Sequence, residues 1–177
     1  MSVKVIYIAG VPASGKTTLF KRIREQLFNE ATEFKFGKCK GVENGAFKML
    51  GVFDGSTFEG TDRLSMTVID DAIDYVKQLE KGKQKKVVFV EGDRLFNIRF
   101  LRETKALLLL IDADERVLKK RHAKRGDNQT ETFLKSRRSK VENFVKKHNV
   151  QRVWNNTQEE HERILSFILK TAKEYVE

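Results

Sequence analysis

Gly10-Val11-Pro12-Ala13-Ser14-Gly15-Lys16-Thr17 places two glycines, a lysine and a hydroxyl at the spacing of a phosphate-binding loop, G-x-x-x-x-G-K-[ST]. Each residue type has a physical task there. The glycines allow backbone angles that turn amides inward around a phosphate, through Ala13 and Ser14 as well as Gly10 and Gly15. A helix opening at Lys16 adds the positive end of its dipole. Lys16 would bridge the β- and γ-phosphates of a nucleoside triphosphate, and the Thr17 hydroxyl would ligate Mg²⁺. Thr18 would lie near the α-phosphate. ATP and Mg²⁺ are therefore the expected small partners. The alternative is a glycine-rich turn formed by chance, and the flanking strand and helix patterns argue against it.

Two further groups could act on a bound phosphate. The apolar run Val87-Val88-Phe89-Val90 ends in Glu91-Gly92-Asp93-Arg94. A carboxylate at the end of a strand beside the phosphate loop faces the nucleotide crevice. There it would hold Mg²⁺, the role expected of Glu91, or take a proton from an attacking hydroxyl, for which Asp93 is a candidate. A helix cap or a surface ion pair is the plainer explanation of both. Arg121 and Arg125 are four apart, so they share one helix face, and the turn signal Gly126-Asp127-Asn128 follows them. Two arginines before a turn suit a lid that neutralises charge on a transferring phosphoryl group. An exposed, salt-bridged helix is the alternative. Asp112 and Asp114 read as helix caps.

The elements that must position these residues follow from the apolar pattern. Val3 to Ala9, Val87 to Val90, Ala106 to Ile111 and Val150 to Trp154 are short, nearly continuous apolar runs, as buried parallel strands should be. Helical spacing separates them over Lys16 to Asn29, Asp62 to Lys81 and Thr157 to Val176. Thr157-Gln158-Glu159-Glu160 is a capping-box start. The segment Phe34 to Phe58 holds five of the 11 glycines, and it reads as one further strand plus a substrate-facing excursion. The expected architecture is α/β: a doubly wound, five-stranded parallel sheet with helices on both faces and a short helical lid. Residues 1–177 are expected to form a single domain, with 34–80 as the acceptor-binding region and 115–148 as the basic lid region.

Composition narrows the function. One cysteine, Cys39, excludes an internal disulfide and a Cys-rich metal site. No apolar run approaches the roughly 20 residues that span a bilayer. The opening residues lack a signal-peptide pattern, so a soluble protein of a reducing, cytoplasmic compartment is expected. The formal net charge is +10. Between Glu115 and Arg152 lie thirteen of the 35 Lys and Arg but only four of the 25 Asp and Glu, so nearly all of the excess is in one segment. Such a segment is either a solvated helical face or a surface for a polyanion.

Together, the phosphate loop, the acidic strand end, the Arg-x-x-x-Arg pattern and the late strand before Asn155-Asn156-Thr157 resemble the adenylate-kinase-like P-loop kinases. The resemblance covers nearly the whole chain. It implies that Asn155, Asn156 and Thr157 lie beside the adenine, and that Arg121 contacts ATP. The usual Asp-Gly-x-Pro-Arg of that family is replaced here by Glu91-Gly92-Asp93-Arg94. Gly51 to Ser65, with its aromatic-glycine stretch followed by Gly60-Thr61-Asp62-Arg63-Leu64-Ser65, looks like the phage kinases that phosphorylate 5-hydroxymethyluracil in DNA. That likeness implies DNA containing a hydroxymethylated pyrimidine as the acceptor, and the host cytoplasm as the place of action. It puts Thr61, Asp62, Ser65 and Arg94 at the substrate, with Phe53 or Phe58 available to stack on the base. The plainer reading makes those phenylalanines core.

The mechanism so implied is in-line transfer of the ATP γ-phosphoryl group to a primary hydroxyl. Lys16, Mg²⁺, Arg121 and Arg125 would stabilise charge, and Asp62 or Asp93 would orient or deprotonate the hydroxyl. Three alternatives stand beside it: a small-molecule kinase, a polynucleotide 5′-hydroxyl kinase, and a nucleotide-binding regulatory module.

Overall fold

The apolar runs do form strands, and they lie side by side. A computed structural model describes residues 2–55, 59–126 and 129–177. Strand β1 (Val3–Gly10) sits at the centre, with β5 (Lys86–Glu91) on one side and β6 (Leu107–Asp112) on the other, both parallel to it. Beyond β6 lies β7 (Arg152–Trp154), and beyond β5 lies β4 (Phe47–Leu50), again parallel. These five strands are the expected parallel sheet. Two more, β2 (Thr32–Phe36) and β3 (Cys39–Asn44), form an antiparallel hairpin that extends the β4 edge, so the order is β2-β3-β4-β5-β1-β6-β7.

The hairpin replaces much of the expected excursion, and packing explains it. Phe34 and Phe36 alternate onto one face, where their rings meet Tyr75 at 4.8 and 5.6 Å. Gly41 leaves room for the Phe34 ring, which a side chain at that position would meet at 2.6 Å. A glycine that reads as loop thus serves as the floor under an aromatic ring.

Helices cover both faces. The central strand divides the core by parity. Ile6 and Ile8 point to α1 (Lys16–Leu27) and α6 (Gln158–Val176), meeting Leu19, Ile23, Leu165 and Ile168. Val5, Tyr7 and Ala9 point to the other face. There lie α2 (Ile69–Glu80), α3 (Ile98–Glu103), α4 (Glu115–Arg125) and α5 (Glu131–His148). The helix expected from Asp62 to Lys81 begins later: Thr61–Arg63 is a separate 3₁₀ turn, and α2 starts at Ile69. The break frees Thr61 and Asp62 to face the end of β5.

The basic segment packs against the core. Helix α4 anchors through Leu118 and α5 through Val141, with Phe144 packed 4.7 Å from Phe96. Asp127 and Asn128 of the expected turn, and Phe58, lie outside the described residues. Among the described residues, no helix is long and apolar enough to cross a membrane.

Candidate active site

The loop between β1 and α1 turns as the motif requires. Gly15 has φ +99°, and a side chain there would lie 2.4 Å from the Asn155 amide nitrogen. No side chain caps the N-terminus of α1, so its first amides point to the loop's concave side. Ala13 also takes a positive φ, 64°. Lys16 Nζ donates to the Val11 carbonyl at 2.9 Å, which folds the lysine across the loop. Burial lowers the Lys16 pKa, and the charges of Glu91, Asp93 and Asp62 oppose that shift. Thr17 and Thr18 are exposed at the start of α1.

Strand β5 delivers Glu91 to this loop. Its side chain is buried and hydrogen-bonded to the Thr17 side chain. Burial pushes its carboxyl up to about 7, against the lowering effect of Lys16. A hydroxyl and a carboxylate oxygen are hard donors of the kind Mg²⁺ takes, and the buried Glu91 charge is one that a divalent cation would compensate. The donor set therefore fits the metal. Among the described residues, no cluster of three His, Cys, Asp or Glu forms another candidate metal site.

Past Glu91 the chain turns sharply, and the 3₁₀ turn docks against it. Thr61 Oγ1 donates to the Glu91 carbonyl. Asp62 Oδ1 accepts from the amides of Asp93 and Arg94, both at 3.1 Å. Arg94 Nη2 donates to the Asp62 carbonyl at 2.6 Å. Gly92 fits because a side chain there would meet Thr61 Oγ1 at 2.9 Å. Tyr7 Oη donates to the Gly92 carbonyl at 2.8 Å from below, and burial raises the Tyr7 pKa well above its ordinary value. Asp62 therefore shapes the turn through one oxygen. Asp93 is held by an ion pair with Arg137 of α5 at 3.0 Å. Ser65 lies farther out, exposed, with its hydroxyl 3.2 Å from that of Thr67.

Helix α4 and the loop after β7 close the other side. Arg121 donates to the Ala13 carbonyl at 3.3 Å and to the Asn155 carbonyl at 2.7 Å, bridging the two loops. Burial lowers its pKa, and nearby Arg125 adds to the shift. Arg125 is exposed one turn on, and its charge also lowers the Lys16 pKa. Asn155 is fully buried, and its Nδ2 donates to the Ser14 carbonyl at 2.7 Å. Asn156 Oδ1 accepts from the Asp114 amide at 2.6 Å. The Thr157 side chain accepts from the Glu160 amide in the expected capping box. These three side chains thus brace the loop and cap α6. Asp112 is buried beside Arg152, 3.5 Å away, and its Oδ1 accepts from the Ala113 amide. Asp114 occupies the N-cap position of α4 without a side-chain cap bond.

The structure thus gathers Lys16, Thr17, Glu91, Asp62, Asp93 and Arg94 around the end of β5, with Arg121 and Arg125 on the α4 side. Phe53 does not face this corner: its ring packs 6.0 Å from Phe20 with the Arg24 guanidinium 4.9 Å above it, which is the core reading. Arg137 is one of the thirteen basic residues between Glu115 and Arg152 that the sequence does not tell apart, and Phe96 and His161 carry no signal in it. The adjacent pair Arg137-Arg138 gave no hint of which arginine turns inward. His161, just after the capping box, is buried and lies 3.4 Å from Asn155 beside the phosphate loop.

A family model described as P-loop Nucleotide Kinase3 matches residues 1–160. No match was found among curated proteins. Among solved structures, the chain is similar to a deoxyadenosine kinase from M.mycoides, with 15% identity over 96% of this chain and 99% of that chain and a TM-score of 0.42. It is also similar to the protein APE1195, with 15% identity over 99% and 98% of the two chains and a TM-score of 0.45.

Proposed function

This chain belongs to the P-loop Nucleotide Kinase3 family, and from that premise we propose an ATP-dependent kinase whose acceptor is the hydroxymethyl group of 5-hydroxymethyluracil in DNA. One observation supports phosphoryl transfer above the others. The phosphate cradle and a corner rich in carboxylates meet at a single strand end, with Glu91 between Thr17 and the Thr61–Asp62 turn. A phosphoryl donor and a hydroxyl acceptor need that proximity.

In this reading the α1 amides and Lys16 hold the β- and γ-phosphates. Arg121 and Arg125 neutralise charge that grows on the transferring group. Thr17 and Glu91 hold Mg²⁺, which when bound supplies further neutralisation of the phosphate oxygens. Asp62 sets the shape of the acceptor turn. Asp93, with Arg94 beside it, orients the attacking hydroxyl and takes its proton. Asn155 keeps the phosphate loop in register from behind, while the backbone of residues 155–157 flanks the nucleotide. Residues 34–80 would bind the acceptor through Thr61, Asp62 and Ser65, and residues 115–148 would close over it. A base in a duplex must leave the stack to reach this corner.

A free nucleotide as acceptor is the second reading, and the family description itself favours it. γ-Labelled ATP offered with plain DNA, hydroxymethyluracil DNA and free nucleotides, followed by nuclease digestion of the DNA to mononucleotides without phosphatase, separates the two. Label on an internal modified base supports the DNA reading; label only on free nucleotides supports the second; label only on DNA ends points to a 5′-hydroxyl kinase.

A further inference from the structure

Asp93 is placed to meet an acceptor hydroxyl, yet its carboxylate is held by a cation from another element. Arg137 Nη1 lies 3.0 Å from Asp93 Oδ2, and the two side chains are 35% and 33% exposed. The pair stands at the cleft wall, open enough to exchange partners and sheltered enough to matter. Arg137 is not a loose surface charge. Its guanidinium lies 4.9 Å from the centre of the Phe133 ring, while Lys140 Nζ sits 5.4 Å from that of Phe96. Phe96 and Phe144 fix α5 against the same turn at 4.7 Å. The arginine's position is thus set by a rigid helix, and its ionic partner is the group that the transfer reading requires.

We propose that Arg137 is a specificity residue that trades its ion pair with Asp93 for a phosphodiester of the acceptor. This rests on the phosphotransferase reading above. An arginine can make the same bidentate, charge-assisted contact with a phosphate as with a carboxylate. A phosphodiester entering beside α5, where Lys140, Lys146 and Lys147 are exposed, draws Arg137 toward it. Asp93 is then released to accept a hydrogen bond from the hydroxyl beside that phosphate. An acceptor without a phosphodiester leaves the pair intact and Asp93 occupied, and so does water. One contact therefore selects polynucleotide acceptors and restrains wasteful ATP hydrolysis.

The test compares one reacting hydroxyl in two settings: the free nucleoside 5-hydroxymethyl-2′-deoxyuridine, and a short single-stranded oligonucleotide carrying the same base internally. Transfer to each and acceptor-free ATP hydrolysis are measured for the wild type, R137A, R137K and D93N, with thermal melting as the check on folding. For R137A, kcat/KM on the oligonucleotide should fall by about 10- to 100-fold, the range expected when a charge-assisted hydrogen bond is removed. Transfer to the nucleoside should hold or rise, and acceptor-free hydrolysis should increase several-fold. R137K should recover part of the oligonucleotide rate. D93N should lose transfer to both acceptors without raising hydrolysis. Equal losses on both acceptors in R137A, with hydrolysis unchanged, would overturn the proposal. A wild type that transfers phosphate to neither acceptor would overturn the hydroxymethyl-acceptor reading itself, and this inference with it.

Discussion

Lys16 is the residue on which most of the chemistry converges. The charges of Glu91, Asp93 and Asp62 all favour its ammonium against the cost of burial. Lys16→Ala should reduce phosphoryl transfer to background while the circular dichroism spectrum stays native; retained turnover would remove the lysine from the mechanism. Cys39 gives a contrasting expectation. It is fully buried, and burial pushes its thiol up to about 12. The thiolate is the reactive form, so a thiol reagent at pH 8 should leave the native chain unmodified and label it only after unfolding in urea. Lys16 and Thr17 stood out because the phosphate-loop motif is a matter of local spacing, and Glu91 because it ends an apolar run. Asp62 and Asp93 were legible as candidates but not as a linked pair. Their connection runs through backbone amides of a turn and through Arg137, none of which has a fixed spacing in sequence.

At the scale of elements, the regular parts follow from pattern and the edge does not. Strands buried on both faces are continuous apolar runs, so β1, β5 and β6 stand out from their neighbours. Helix α6 announces itself by its capping box, which forms as the residues imply. Thr157→Ala removes one half of that box and should cost about 1 kcal/mol of stability, read as a lower urea midpoint with an unchanged slope. A larger loss would mean that Thr157 also supports the Asn155 loop. The β2–β3 hairpin was obscured by glycines that read as loop, because the ring above Gly41 comes from a neighbouring strand. The late start of α2 was obscured for a related reason. Asp62 to Lys81 keeps an apolar rhythm throughout, but the contacts of Thr61 and Asp62 with the end of β5 hold the first turn apart.

Over the whole molecule the question is what the excess charge does. Part of it is spent internally: Arg121 bridges two loops, Arg137 holds Asp93, and Arg152 pairs with Glu142 at 2.6 Å. Lys119 and Lys135 each pair with a glutamate one helical turn earlier. Lys140, Lys146 and Lys147 remain exposed on α5, the helix whose Phe144 packs on Phe96. If they contact a DNA backbone, log K for duplex binding should fall linearly with log salt. Replacing Lys146 and Lys147 with Ala should then lower that slope by about 2, since each lysine would neutralise one phosphate. An unchanged slope would assign them to solvent.

The central claim is that the γ-phosphate passes to a base hydroxymethyl group within DNA. It is tested most directly by mass spectrometry of mononucleotides released by nuclease, without phosphatase, from a hydroxymethyluracil-containing duplex after incubation with the chain, ATP and Mg²⁺. The expected product is the phosphomonoester of the base hydroxymethyl group, absent when Lys16→Ala replaces the wild type. Recovery of only the unmodified 5′-monophosphate of 5-hydroxymethyl-2′-deoxyuridine, under conditions where the same preparation phosphorylates free nucleotides, would contradict it.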